Sequence, residues 1–245
     1  KDIAKLVGVR ENQLVGYGLV VGLGGTGDKT SANYTMQSIA NMLNRMGMKL
    51  DPKTIRVKNV AAVLVTAELA PFAKPGTKVD VLVSSLGDAK SLQGGTLIST
   101  PMKGADGAVY ASAQGPLALA GFSAGGEGQT VTKNHQTAAK ISGGAIIEKE
   151  VPLHIQEKDE LAIFLKSPDF TTAGRVAASI NERFGAAAAS AVDAGRINVV
   201  VPEEHKKNVV AYISMMESLD VKPDGVTKVV VNERTGTVVI GENVR

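Results

Sequence analysis

The sequence predicts an α+β protein in two parts. Residues 1–144 are expected to form a mainly antiparallel β domain with one packed helix, and residues 145–245 a smaller β-β-α-β-α-β-β sandwich. Three observations support this prediction. Short apolar segments separated by Pro-Gly and Gly-rich turns fill the first part, helical periodicity occurs twice in the second, and the composition changes near Gly143–Gly144. The 245 residues are enough for two domains.

The first part is expected to begin with a short helix and then a glycine-interrupted strand, Asn12–Leu23. Glycines inside a strand, here Gly16 and Gly18, indicate bulges or a close approach of another backbone. A helix is predicted over 31–46, with Ser31 as its cap. Its apolar face has helical spacing and ends at a glycine: Met36, Ile39, Ala40, Leu43, Met46 and Gly47.

Turn residues separate the remaining strands of the first part, which favours antiparallel hairpins. The predicted strands are Ile55–Leu69, Val79–Leu86, Thr96–Thr100, Val109–Gln114 and Leu117–Phe122. The stretch 121–144 is rich in Gly, Ser and Thr, with little periodicity. It is predicted to be a mobile loop.

The second part alternates strand and helix patterns. The predicted elements, in order, are strands Ile146–His154 and Leu161–Leu165, a helix capped by Thr171 or Thr172, strand Ile197–Val201, a helix over Glu203–Leu219, and a hairpin of Lys228–Glu233 with Thr237–Glu242. Two helices on one face of a small sheet would make a two-layer sandwich.

The composition is typical of a globular protein, with 44% hydrophobic and 21% charged residues. The net charge of +3 comes without basic clusters or stacking aromatics, so nucleic-acid binding is not predicted. No apolar run reaches the ~18–20 residues that span a bilayer, so membrane insertion is not predicted either. The absence of cysteine excludes disulfides within these residues.

Two glycine motifs resemble catalytic or nucleotide-binding signatures but lack the context that such sites need. Gly22–Gly27 fits GxGxxG, yet Asp28 and two further residues precede the predicted helix, and Asp51 begins the next strand instead of ending it. Gly121–Gly125 fits GxSxG around Ser123, but no helix is expected to follow it. A structural turn is the favoured interpretation of the first motif.

The histidines do not suggest a metal site. His135, His154 and His205 lie far apart, and His205 is expected on a solvated helix face. The acidic residues between Glu148 and Glu160 alternate with lysines as ordinary surface charge. No catalytic residue, metal or cofactor is therefore predicted, and the protein is not expected to be an enzyme.

Four segments resemble the flagellar P-ring protein family. They are Asn12–Leu23 with Gly24–Asp28, Lys58–Val63, Pro71–Gly76 continuing to Val83–Leu97, and Asn232–Val239. They are spread over most of the chain and keep the family's order, and they are long phrases instead of single motifs. The match is therefore specific.

The resemblance implies a periplasmic protein, exported with a cleaved signal sequence, that polymerises into a closed ring around the flagellar rod and acts as a bushing. The ring would sit at the peptidoglycan layer beneath the L-ring lipoprotein, and a periplasmic chaperone would assist its assembly. Family members continue beyond Arg245, so the family's C-terminal part is expected to be absent from this chain. The second part resembles the ring-building domains of other secretion machines.

Within the resembling segments, Lys58, Lys74 and Lys90 are predicted to contact the rod or a neighbouring ring subunit. Ordinary solvated lysines are the alternative explanation. The stretch 121–144 is expected to become ordered on assembly. A periplasmic binding or scaffold module for peptidoglycan or a peptide, without catalysis, is the alternative function.

Overall fold

A computed structural model of the chain describes residues 2–29, 33–45, 47–48, 58–119, 123–126, 129–132, 136–152, 159–224, 229–232 and 236–240. These residues contain fourteen strands and three α-helices, and their strand pairings are antiparallel. The α+β class is therefore confirmed. The chain divides into two compact units, which we call the barrel unit (residues 10–152) and the sandwich unit (residues 1–9 with 153–245).

The strands are β1 (Ala4–Leu6), β2 (Asn12–Val21), β3 (Val60–Leu69), β4 (Lys78–Ser85), β5 (Thr96–Lys103), β6 (Val109–Pro116), β7 (Ser123–Gly126), β8 (Gln129–Thr132), β9 (Ala138–Ile147), β10 (Glu160–Leu165), β11 (Ala189–Ala191), β12 (Arg196–Val200), β13 (Val229–Asn232) and β14 (Thr237–Ile240). The α-helices are α1 (Asn33–Arg45), α2 (Phe170–Phe184) and α3 (Val209–Glu217).

Six strands of the barrel unit close on themselves in the order β2-β3-β4-β9-β6-β5. The longest pairing joins β2 to β3 without a break, from Asn12 opposite Leu69 to Val21 opposite Val60. Alternate residues of these strands point inward, so Val63 and Val65 are fully buried and belong to an aliphatic core. Because the sheet closes, each of the six strands has a neighbour on both sides.

The interior glycines of β2 lie where β5 approaches closely, as predicted. A Cβ atom on Gly16 would stand 2.8 Å from the carbonyl oxygen of Pro101, and one on Gly18 would stand 2.4 Å from Thr100 Oγ1. The β2–β5 register also shifts between Val15 and Val20. The close approach and the bulge explain the glycines together.

Helix α1 covers part of the barrel with the apolar face that the sequence predicts. Ile39 is buried against Leu19 and Ala62, with Met36 and Leu43 packed around it, and Ala40 is fully buried. Tyr17 Oη and Ser38 Oγ share a hydrogen bond of 2.8 Å. Gly47 has a φ of 89° just beyond the helix. The predicted cap Ser31 and Met46 lie outside the described residues.

The sandwich unit contains a four-stranded sheet in the order β1-β10-β12-β11. Ile197 and Val199 of β12 are fully buried, and they share a core with residues of α2 and α3 such as Ile180 and Tyr212. Strands β13 and β14 form a separate two-stranded sheet at the predicted hairpin.

The division into units differs from the predicted boundary between residues 144 and 145. Strand β9 runs across that boundary, because the glycines there bend the strand without ending it. Gly143 has a φ of 59°, and the β4–β9 register shifts at Val79–Val81, opposite these glycines. The predicted strand from Ile146 onward is therefore the end of a barrel strand, and residues 153–158 lie outside the described part.

The predicted mobile loop 121–144 also differs from the structure. Within it, β7 and β8 pair as a hairpin, and residues 138–144 belong to β9. The predicted strand Leu117–Phe122 is reduced to a single bridge between Ala118 and Lys140 in the described residues. Residues 120–122 lie outside them.

The predicted opening helix was wrong. Ala4–Leu6 form β1, an edge strand paired with β10, and the neighbouring apolar side chains of Ile3 and Leu6 pack on the sandwich core. The three-residue strand β11 was not predicted. Both strands are too short to show a period in the sequence.

The helix starts of the sandwich unit also need correction. Asp169, not Thr171 or Thr172, caps α2, because the Thr172 amide donates to Asp169 Oδ2 over 2.6 Å. Helix α3 begins at Val209 instead of Glu203, after a short 3₁₀ turn and with Asn208 as its cap.

Candidate functional site

Lys58 and Lys90 lie at one end of the barrel, on either side of the glycine loop Gly22–Asp28. Lys58 precedes β3, and Lys90 follows β4. The Gly27 amide donates to the carbonyl oxygen of Lys58 over 2.8 Å, and the Lys90 amide donates to the carbonyl oxygen of Thr26 over 2.8 Å. Two adjacent residues of the loop thus hold the backbones of both lysines.

A buried carboxylate organises this end of the barrel. Asp28 is fully buried. Its Oδ2 accepts hydrogen bonds from Thr35 Oγ1 at 2.6 Å and from the Ala62 amide at 2.9 Å, and its Oδ1 accepts one from the Ala89 amide at 3.0 Å. We call Asp28 with these three donors the Asp28 cluster. It joins α1, β3 and the segment after β4 at one point.

Glycines allow the backbone to pack this tightly around Asp28. A Cβ atom on Gly27 would stand 2.4 Å from the carbonyl oxygen of Val60, and one on Gly87 would stand 2.3 Å from Asp28 Oδ1. Gly25 has a φ of 79°, and its amide donates to Asn59 Oδ1 over 2.9 Å. The loop packs against protein groups, which agrees with its interpretation as a structural turn.

The exposed charges around the cluster are unevenly paired. Lys29 Nζ lies 3.8 Å from Asp88, and the Lys29 amide donates to Asp88 Oδ1 over 2.8 Å. Partial desolvation of its ring, together with the negative charges of Asp28 and Asp88, raises the pKa of the exposed Tyr34. In the described part of the chain, neither Lys58 nor Lys90 makes an ion pair. Both lysines are exposed.

Lys74 lies at the opposite end of the barrel. It belongs to the connection between β3 and β4, after the last residue of β3, whereas Lys58 lies before the first; the ten-residue strand spans about 30 Å at ~3.3 Å per residue. Its Nζ atom pairs with Glu150 at 2.5 Å. The structure therefore places Lys58 and Lys90 at the same end of the barrel and Lys74 at the other end.

The residues of the GxSxG motif are arranged differently from a hydrolase site. Ser123 lies in β7, opposite Thr132 of β8, so the strand-to-helix corner of such enzymes is not formed there. His205 is not on a solvated face as predicted. Its ring stacks on Tyr212 with the centroids 5.1 Å apart and approaches Phe184 edge-on.

His135 and His154 lie outside the described residues. Within the described ranges, no three histidine, aspartate or glutamate side chains are grouped closely enough to hold a metal ion. The helices described there are also too short or too polar to cross a bilayer.

Sequence reasoning missed Asp28 as the organising residue. Asp28 is the last residue of one of the segments that resemble the P-ring family, so the sequence pointed to this region. It did not point to the buried carboxylate, because the donors to Asp28 lie 7, 34 and 61 positions away in the chain. A hydrophilic residue beside a glycine loop looks exposed in the sequence. The nearest sequence signal was the second glycine phrase, Gly87–Asp88–Ala89, which packs on it.

Comparison with known proteins identifies the relatives of this chain. The profile of the family described as flagellar P-ring protein matches residues 1–245. Flagellar P-ring proteins of Geobacter sulfurreducens and Geobacter metallireducens are 56% and 55% identical to it over 245 residues. The flagellar P-ring protein of Nitratidesulfovibrio vulgaris is 52% identical over the same length. In the two Geobacter matches, all of this chain aligns with 67% of the relative.

Proposed function

The chain belongs to the flagellar P-ring protein family, and from this premise we propose that it is a subunit of a homo-oligomeric ring around the flagellar rod. The ring acts as a bushing in which the rod turns. The observation that carries this proposal is the match over residues 1–245 with relatives more than 50% identical. In this proposal the protein acts by forming part of a rigid assembly, without catalysis.

Stiffness is the property that a bushing needs, and the barrel unit supplies it. Each of the six described strands of the closed barrel is paired on both sides, so these strands leave no free edge for uncontrolled association. Its interior is filled by aliphatic side chains. Ring closure then depends on side-by-side contacts between two different patches of each copy, with a rotation that closes.

We assign the barrel end that carries Lys58 and Lys90 to the rod-facing surface. Both lysines are exposed and unpaired within the described residues, and the Asp28 cluster fixes the backbone beneath them. Solvated, salt-screened attraction suits a bearing better than a dry apolar contact, because it guides the rod without holding it fast. Lys74, at the other end and paired with Glu150, is assigned to contacts between ring subunits.

The proposal places the protein in the periplasm, at the flagellar basal body. Its further partners there are the L-ring lipoprotein and a periplasmic chaperone that assists assembly. Family membership supports these assignments.

Charge reversal tests the rod-facing assignment. Full-length protein with Lys58→Glu and Lys90→Glu should fold normally by circular dichroism but give at least severalfold fewer rings on purified rods in negative-stain microscopy. A matched control reverses two exposed lysines elsewhere, Lys103→Glu and Lys166→Glu, with the same change in net charge. Equal ring yields from the two double variants would refute the assignment. Unassembled protein that binds muropeptides would instead support the scaffold alternative.

A further inference from the structure

We propose that Asp28 is a positioning residue for the rod-facing surface: its carboxylate sets where Lys58 and Lys90 stand relative to each other. This inference rests on the proposed function of those lysines. It assigns the buried aspartate a role in partner binding that is separate from its contribution to stability.

The burial of Asp28 is costly in a barrel of aliphatic side chains. The carboxylate is fully buried, and within the described residues no cation pairs with it. Desolvation of a charge is unfavourable unless hydrogen bonds offset it, and an apolar side chain of similar size avoids that cost. What an apolar side chain cannot do is fix three donors, from positions 35, 62 and 89, at one point.

Each lysine is tied to this point through very few bonds. The Ala89 amide that donates to Asp28 belongs to the residue immediately before Lys90. On the other side, Gly27, immediately before Asp28, holds the carbonyl oxygen of Lys58. Gly27, next to Asp28, thus positions the backbone of Lys58. Ala89, which donates to Asp28, positions the backbone of its neighbour Lys90.

Loss of the carboxylate should loosen this surface without unfolding it. The segment after β4 has a second attachment to the glycine loop through Thr26. Thr26 Oγ1 donates to the carbonyl oxygen of Ser91 at 2.7 Å, and the carbonyl oxygen of Thr26 accepts from the Lys90 amide. These contacts do not involve the Asp28 side chain, so the Lys90 backbone should stay attached to the loop. What is lost is the bond from the Ala89 amide to Asp28, and with it the fixed orientation of Lys90 beside Lys58.

The first test measures local order in the full-length protein. Asp28→Asn replaces one acceptor oxygen by an amide group, so at least one of the three donors loses its partner. We expect hydrogen exchange of the Ala62 or Ala89 amide to accelerate at least tenfold, and rod binding to weaken severalfold. Asp106→Asn is the control for the loss of a hydrogen-bonded carboxylate elsewhere, because Asp106 is exposed at the other end of the barrel and accepts from the Ala108 amide and the Tyr110 hydroxyl.

The second test asks whether Asp28 acts through the lysines. The substitution Asp28→Asn is combined with Lys58→Gln and Lys90→Gln, which should weaken rod binding without abolishing it. If Asp28 positions the lysines, adding Asp28→Asn to the neutralised protein causes no further loss. If Asp28 is merely structural, the two losses multiply. Should Asp28→Asn fail to fold, Thr35→Val removes one donor at nearly constant volume and takes its place.

The outcomes separate this inference from the function on which it rests. Normal rod binding after neutralisation of both lysines overturns the rod-facing assignment and the inference together. Weakened binding after neutralisation, with normal binding in Asp28→Asn, overturns only the positioning role. Multiplied losses in the combined variant also overturn only that role.

Discussion

Alanine in place of Gly18 is a direct test of how closely β2 and β5 approach each other. The new Cβ atom would stand 2.4 Å from Thr100 Oγ1 and 3.1 Å from Leu97 Cδ1. Ordinary contacts between such atoms begin at about 3.4 Å, so a shift of nearly 1 Å is needed. Thr100 and Leu97 are buried, which leaves them little room to move.

The cost has two parts. Insertion of one methyl group into a packed interior costs about 1–3 kcal/mol. The Thr100 hydroxyl also donates to the carbonyl oxygen of Ile98 at 2.8 Å, and rotation away from the new methyl group would break that bond at about 1 kcal/mol. We therefore expect Gly18→Ala to lower the free energy of unfolding of the barrel unit by about 2–4 kcal/mol.

Urea or thermal unfolding followed by circular dichroism measures this loss. At about 2–5 °C for each kcal/mol in a domain of this size, the melting temperature should fall by roughly 4–20 °C. Gly24→Ala is the control within the same unit, because a Cβ atom there meets nothing within 4 Å and no unusual φ is required. A Gly18→Ala protein as stable as the Gly24→Ala protein would refute the close approach.

Three further predictions concern other parts of the chain. Gly174→Ala should stabilise the sandwich unit by about 0.5–1 kcal/mol in urea unfolding, because Gly174 lies inside α2 with open space around its Cα atom. The Thr172 hydrogen bonds lower the pKa of Asp169, so the stability that this cap contributes is present above about pH 4 and is lost as the pH falls; Asp169→Asn should therefore lose less stability than the parent between pH 5 and 2, and equal losses would contradict the cap. Because β7 and β8 pair only with each other among the described strands, their amides should exchange rapidly in the unassembled protein and slowly in the ring; equal rates in both would reject ordering of this hairpin on assembly.

Local patterns account for the parts of the fold that could be predicted from the sequence. The apolar face of α1 follows from spacing within one helix, and the close approach at Gly16 and Gly18 follows from glycines inside one strand. Each signal lies within about a dozen residues. These predictions are confirmed because, in both the barrel and the sandwich, the apolar faces that the sequence periodicity predicts are the buried ones.

Long-range pairings account for most of what could not be predicted. Strand β1 has three residues and no period, and only its partner β10, far along the chain, makes it a strand. In the sequence, Gly143 and Gly144 suggest a domain boundary, because glycine occurs both in the turns that end a strand and in the bulges inside one. Asp28 is buried by donors from three separate segments, so its role became visible only in three dimensions.

Because β1 pairs with β10, the sheet of the sandwich unit forms only after residues from both ends of the chain are present. Lys5 pairs with Phe164. During synthesis, the whole barrel unit, residues 10–152, is therefore made before β10 can pair with β1. A barrel that has already folded would shorten the gap to be closed, since a compact insert brings the ends of its segment nearer than a flexible one does. Fragments that start after residue 9 would lose β1 and leave one edge of β10 unpaired, and an unpaired strand edge can pair with another chain.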